Sequence, residues 1–322
     1  MKTTELLGEV APDLARLEEY MAEHLDSPEP LLKDASLHPL RAGGKRLRPA
    51  LVFLAAKFHR YELDKLMPVA AGVEFMHMAT LVHDDVIDRS STRRGWPTVN
   101  SRWGNKVSVL VGDHLFATAV DLIAKNSSND TIRRLARTIN EVVRGEIQQT
   151  NAAWRLDLTE GEYIERIGLK TASFFGACCH VGARISGAPD EMGRQLERFG
   201  FEVGVAFQMM DDVLDINGDV RDTGKPVGSD LSSGVLTLPV IYALHHSAER
   251  ERLRAMISAR SFRDGQLEEA LEVVRKSGGL EYTLDLAARY VDGAKARLRD
   301  LPDHPAKETL LNLADFMANR AV

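Results

Sequence analysis

The stretch "AAGVEFMHMATLVHDDVIDRSSTRRGWPT", residues 70–98, decides the fold class. Its first part is apolar at three- and four-residue spacing, without the alternation of a strand, and reads as a buried helix. That helix ends in Asp84, Asp85 and Asp88, and "RGWP" marks a turn after it. Asp84 and Asp88 are four residues apart, so their carboxylates project from one helical face, one turn apart. Two like charges so placed are unfavourable unless a cation lies between them. Hard carboxylate oxygens suit Mg²⁺, which keeps several waters and bridges to substrate phosphates. A solvated acidic helix end would explain one such cluster; it does not explain two.

The second cluster is "FQMMDDVLDINGD", residues 207–219, where Asp211, Asp212 and Asp215 repeat the spacing at the end of another apolar run. Facing each other across a bundle, two such helices would hold several divalent ions. Ionisation of a diphosphate is the natural use, because metals stabilise the departing charge.

Helical spacing continues almost everywhere, over 3–25, 45–59, 64–88, 103–125, 130–151, 170–187, 190–216, 236–247, 266–275, 278–299 and 304–319. The turn signals "SPEP", "HPLRAGG", "RGWP", "NSSND", "GAPD" and "LPDHP" separate these segments. The fold class is therefore all-α. A length of 322 residues alone would suggest about two domains. If both acidic helices serve one cavity, however, residues 1–322 form a single helical bundle with the site between its helices.

Composition excludes other classes. With 44% hydrophobic and 27% charged residues the chain reads as an ordinary globular protein. A net charge of −6 argues against a general nucleic-acid binder. Cys178 and Cys179 are adjacent, neither a metal-spaced pair nor a disulfide framework, and fit a reducing cytoplasm. The N-terminal stretch lacks the pattern of a secretory signal, and no run reaches the roughly 18 apolar residues of a membrane span. The expectation is a cytoplasmic protein without a membrane span.

Basic groups suited to a second polyanion surround the first cluster. "RAGGKRLRP" places Arg41, Lys45, Arg46 and Arg48 about a Gly43-Gly44 turn at a helix start, with Pro49 in the first turn. Helix-start amides and Arg forks both favour phosphate oxygens. Arg93 and Arg94 follow the first cluster closely enough to reach the same cavity. Lys170-Thr171 opens a small-residue helix, and Lys225 lies in a Gly- and Asp-rich stretch whose length suggests a lid.

The motifs "GGKRLRP", "HDDVIDRSSTRRG", "KT", "FQMMDDVLD" and "GKPVGSD" run in one order over about residues 40–240. In that order the chain resembles the trans-isoprenyl diphosphate synthases, the polyprenyl synthetase family, and especially the catalytic second component of heptaprenyl diphosphate synthases. The resemblance implies an isoprenoid-synthase bundle and Mg²⁺-dependent condensation of isopentenyl diphosphate onto an allylic diphosphate such as farnesyl diphosphate. It implies that Asp84, Asp88 and Asp211 hold three Mg²⁺ on the allylic diphosphate, with Asp85 and Asp215 in support and Asp212 among the catalytic residues. Arg93, Lys170 and Lys225 would bind that same diphosphate. Lys45, Arg48, His77 and Arg94 would bind the diphosphate of isopentenyl diphosphate. Thr171 and Gln208 would lie by the allylic carbon where positive charge develops.

In this family pattern the residues a turn or more before Asp84 floor the cavity that takes the growing tail. Ala79 and Thr80 are small here, and Met76 and Val73 flexible or modest, which predicts a hexaprenyl to octaprenyl product, heptaprenyl favoured. One position departs from many homomeric relatives: "SSGVLTLP" carries Val235 where they have lysine. Heptaprenyl-type catalytic components also often lack it and work with a separate partner subunit, so homodimer and heterodimer both stand. A shorter-chain synthase remains an alternative. A class I terpene cyclase would usually carry an Asn/Ser/Glu metal motif in place of "DDVLD", and a non-catalytic subunit would have eroded aspartates.

Overall fold

In the computed structural model, residues 6–218, 226–263 and 265–318 are described. The helical segments expected from spacing form with ends shifted by a few residues, most at the N-terminal segment, where the helix is α1 (Ala11–His24). Extended structure is confined, among the described residues, to a two-stranded hairpin of Thr92–Arg93 and Trp96–Pro97. The chain divides into two compact units by its internal contacts. One holds the residues up to 136, with 178–197 and 300–310; the other holds 137–177, 198–299 and those from 311 on.

The first unit is organised on α4 (Leu63–Ile87), preceded by α2 (Pro30–Arg41) and α3 (Leu47–Ala56). Residues 66–76 of α4 are buried without a break, the mark of a helix covered on all sides rather than amphipathic. After α5 (Val99–Trp103), α6 (Asn105–Asn126) packs closely along α4. Gly72 permits that approach: a Cβ there would lie 2.6 Å from Ile123 Cγ1.

Two expectations need correction. "HPLRAGG" is not a turn throughout, because α2 runs on to Arg41 with Pro39 inside its last turn. Tertiary contacts hold that turn: the His38 ring makes a 2.6 Å hydrogen bond to Pro97 O and meets Trp96 and Trp103 edge-on. Second, α6 is by length and composition apolar enough to cross a membrane, and Val109, Leu110 and Val120 stand exposed along it.

In the second unit, α8 (Glu160–Ile167) opens with a capping box, in which Thr159 and Glu162 satisfy each other's backbone N–H groups. It passes directly into a π-helical turn, Gly168–Ala172. This wider turn carries the Lys-Thr pair. Gly145, on α7 (Asn129–Asn151), allows it to approach; a Cβ there would sit 2.7 Å from Lys170 N. The second acidic cluster ends α10 (Asp190–Asn217), which follows α9 (Ser173–Ile185). Three short helices, α11 (Ser229–Ser232), α12 (Leu238–His246) and α13 (Arg250–Ser258), come next.

Candidate active site

At the end of α4 the three aspartates separate by burial. Asp84 is half-buried and Asp88, the C-cap, exposed, while Asp85 is only 4% exposed. Burying a carboxylate demands a partner. Asp85 Oδ1 accepts from Arg93 Nε at 2.9 Å and lies 2.8 Å from Arg93 Nη2. Arg93 reaches back because the hairpin closes through Arg94 and Gly95, both at positive φ (54° and 76°). A two-residue turn of that kind matches the strand twist and favours glycine. The same turn brings Arg94 Nη1 onto the carbonyl of Gly43.

The glycine turn before α3 sorts its basic residues in the same way. Arg46 is buried and takes left-handed backbone (φ 48°) as the N-cap of α3. It donates to Glu18, Glu74 and the Leu40 carbonyl at 3.0 to 3.1 Å, and so ties α1, α4 and α2 together. Lys45 is exposed and Arg48 half-buried. Arg48 Nη1 lies 3.0 Å from His77 Nε2. Desolvation, then the charges of Arg48, Arg94, Arg93 and Arg46, hold the His77 pKa well below its usual value, so the ring is neutral. A cleft of about 490 Å³, solvent-open space included, is lined by His77, Arg93, Arg94, Asp85, Glu74 and His38 among others.

Val73, Met76 and Ala79 are buried and Thr80 half-buried. By helical spacing Val73 and Thr80 share the face of Asp84, whereas Ala79 falls on the stripe of Gly72 and His83, against α6. Thr80 Oγ1 donates to the His77 carbonyl at 2.8 Å.

In the second unit Asp212 is the buried carboxylate, 3% exposed. Tyr163 Oη donates to its Oδ2 at 2.6 Å and Gln208 Nε2 to its Oδ1 at 2.9 Å. Thr171 Oγ1 in turn donates to Gln208 Oε1 at 2.9 Å. Burial and the charge of Asp230 push Asp212 up to about 7, against the pull of Tyr163, Gln208 and Arg166. Asp211 and Asp215 are half-buried. Asp215 accepts from Ser229 Oγ at 2.7 Å and from Asp230 N at 3.2 Å, which caps α11. Lys170 Nζ lies 2.5 Å from Glu146 Oε2 on α7. Lys225 lies outside the described residues.

Sequence reasoning missed Tyr163, Glu146 and Arg166. Arg166 is 3% exposed, sits over the Tyr163 ring at 5.5 Å, and donates from Nη2 to the Leu236 carbonyl at 2.8 Å. That carbonyl is next to the half-buried Val235. Among the described residues no three His, Cys, Asp or Glu side chains gather as a ready-made metal cage. Mg²⁺ does not require one, since one or two carboxylates with waters and phosphate oxygens suffice, and Asp84 with Asp88 offers that donor chemistry.

Residues 29–274 match the family model described as polyprenyl synthetase. Heptaprenyl diphosphate synthase component 2 of Geobacillus stearothermophilus is 40% identical, over 99% of each chain. Octaprenyl diphosphate synthase of Escherichia coli is 36% identical over 96% of each. Other similar proteins bear names from geranylgeranyl to nonaprenyl diphosphate synthase. Among solved structures, the polyprenyl synthase of Caulobacter crescentus, complexed with calcium and isoprenyl diphosphate, superposes with a TM-score of 0.94. It is 36% identical, with 100% of this chain and 98% of that one covered.

Proposed function

The chain belongs to the polyprenyl synthetase family, whose all-α fold and prenyltransferase activity it shares, and we propose that it is a long-chain trans-polyprenyl diphosphate synthase. It condenses isopentenyl diphosphate successively onto an allylic diphosphate such as farnesyl diphosphate. The product is hexaprenyl to octaprenyl, heptaprenyl favoured by the names of two relatives that are similar over 96% or more of this chain. The family match runs through ranges of both compact units, which supports one domain over 1–322.

One observation carries the reading. Each acidic helix end commits its buried carboxylate to protein donors, Asp85 to Arg93 and Asp212 to Tyr163 and Gln208, and carries its other aspartates at less buried positions. Asp84, Asp88 and Asp211 would hold Mg²⁺, three ions per site, with Asp85 and Asp215 fixing the helix ends. Bound there, the metal supplies positive charge to the leaving diphosphate. Arg93, Lys170 and Lys225 bind that diphosphate; Lys45, Arg48, His77 and Arg94 bind the second. Lys170, paired with Glu146, is held ready, and neutral His77 keeps the Arg48 fork oriented. Thr171 and Gln208 present oxygens to the allylic carbon as positive charge develops there. Small Thr80 above Val73 leaves room for a long tail on the face of Asp84, and small Ala79 with Met76 sets product length from the adjoining side of the helix.

The exposed apolar face of α6 supports a dimer, with a second copy or with a separate subunit, as the name "component 2" suggests for the relatives. Both thiols are buried, and burial pushes Cys178 up to about 12, in keeping with unreactive core cysteines of a cytoplasmic protein. The test is product sizing after incubation with Mg²⁺, farnesyl diphosphate and labelled isopentenyl diphosphate, alone and with a candidate partner subunit. Products longer than geranylgeranyl support the long-chain reading. A stop at geranylgeranyl or shorter supports a short-chain synthase instead.

A further inference from the structure

Thr171 and Gln208 are useful beside a developing cation only if their oxygens, not their hydrogens, are turned to it. Four side chains of the second unit settle that orientation. Tyr163, fully buried on α8, donates to Asp212 Oδ2 at 2.6 Å, and Gln208 Nε2 donates to Asp212 Oδ1 at 2.9 Å. An ionised carboxylate only accepts, so the NH₂ end of the Gln208 amide faces Asp212. Its carbonyl then faces Thr171, whose hydroxyl donates to it at 2.9 Å. Having placed its single proton there, Thr171 Oγ1 has only lone pairs left to offer. Such an oxygen, fixed before reaction, stabilises positive charge without reorganising as it develops.

The weak point of the chain is rotation of the Asp212 carboxylate, because its terminal torsion is soft. Gln208 sits one helical turn away on the same helix and cannot fix that torsion alone. Tyr163 comes from a different helix and holds the other oxygen. Its ring is in turn held under Arg166, which is anchored on the Leu236 carbonyl. We propose that Tyr163 is a positioning residue for the condensation: through Asp212 it fixes the Gln208 amide and the Thr171 hydroxyl in the orientation that leaves only acceptor oxygen for the cation. The inference rests on the reading that Thr171 and Gln208 line the allylic carbon.

A double-mutant cycle of Tyr163→Phe and Thr171→Val tests it, in whichever assembly turns over, the chain alone or with a partner subunit. Tyr163→Phe is expected to lower kcat by about tenfold, the effect of one hydrogen bond to a charged group, with both KM values within about twofold. In the Thr171→Val background the same change is expected to cost less than about twofold, since no hydroxyl remains to be oriented. Thermal midpoints of all four proteins accompany the kinetics, because losing the phenol also removes a donor from a buried carboxylate. A purely structural Tyr163 would cost the same in both backgrounds, and full additivity overturns the proposal, as does an unchanged kcat in Tyr163→Phe. An unchanged kcat in Thr171→Val, or no turnover in either assembly, overturns the functional reading itself and this inference with it.

Discussion

Arg48 Nη1 lies 3.0 Å from His77 Nε2. A guanidinium only donates, so Nε2 accepts and the neutral ring carries its proton on Nδ1. The family resemblance implies both residues as diphosphate ligands; their pairing shows that the ring also orients the fork. Protonation would break this bond and place a fifth positive charge among Arg46, Arg48, Arg93 and Arg94.

A pH dependence of stability follows. His77 titrates well below 6.5 in the folded chain and near 6.5 when unfolded. As pH falls below about 6.5 the unfolded chain takes up a proton that the folded chain refuses, so stability falls by up to about 1.4 kcal/mol per pH unit from this ring. Denaturant unfolding between pH 7.5 and 5 should therefore show a shallower loss for His77→Gln than for the parent. Identical slopes would mean that the ring takes up its proton over the same pH range folded and unfolded.

Arg93 and Asp85 form the second pair to test. Arg93 keeps 27% side-chain exposure against 6% for Asp85, so solvent screens one end of the pair. Arg93→Ala should cost about 2–3 kcal/mol, less than the loss of a fully buried pair, by removing a cation from the buried Asp85 carboxylate. Thermal or denaturant unfolding measures this. A stability within experimental error of the parent would show that Asp85 finds another cation.

Lys170 and Glu146 offer a kinetic test. If Lys170 grips the allylic diphosphate, Lys170→Ala should raise the allylic KM by about tenfold, the loss of one charge-assisted contact, and leave the KM for isopentenyl diphosphate nearly unchanged. Steady-state kinetics with each substrate varied in turn will show it. Equal changes in both constants would place Lys170 elsewhere in the mechanism.

Product length should respond to the face of α4 beneath Asp84. Thr80→Phe shares that face and is expected to shorten the products to geranylgeranyl length or below. Ala79→Phe should shorten them too, but Ala79 is fully buried on the α6 stripe and the added ring must first displace that packing, so the variant should also be less stable. Chromatography of dephosphorylated products reads the first effect and thermal unfolding the second. Unchanged products in both variants would remove the floor from this helix.

Much of this was legible in the residues, for identifiable reasons. α4 is read to within one residue at each end because its apolar spacing is unbroken and its acidic end abrupt. α2 is not, because Pro39 and the glycines that follow imitate a turn, whereas tertiary contacts, among them those of His38 with Pro97, Trp96 and Trp103, hold its last turn. Likewise "DDVID" does not say which carboxylate is buried. That depends on a hairpin whose only trace is "RRG" before an aromatic residue. The "TEGE" capping signal of α8 is visible in the sequence and would have led to Tyr163 and Arg166. The π turn carries no periodic signal, and the glycines packed against it, Gly145 and Gly204, are its trace.

The central claim is that both acidic clusters serve one metal-assisted transfer. Its most direct test compares Mg²⁺-dependent incorporation of labelled isopentenyl diphosphate by the parent, Asp84→Ala and Asp211→Ala, with circular dichroism confirming the fold of each. The parent should elongate farnesyl diphosphate, and each single substitution should lower turnover by about a thousandfold or more, as loss of charge stabilisation at the leaving group does. Near-parent turnover in either variant would contradict the claim.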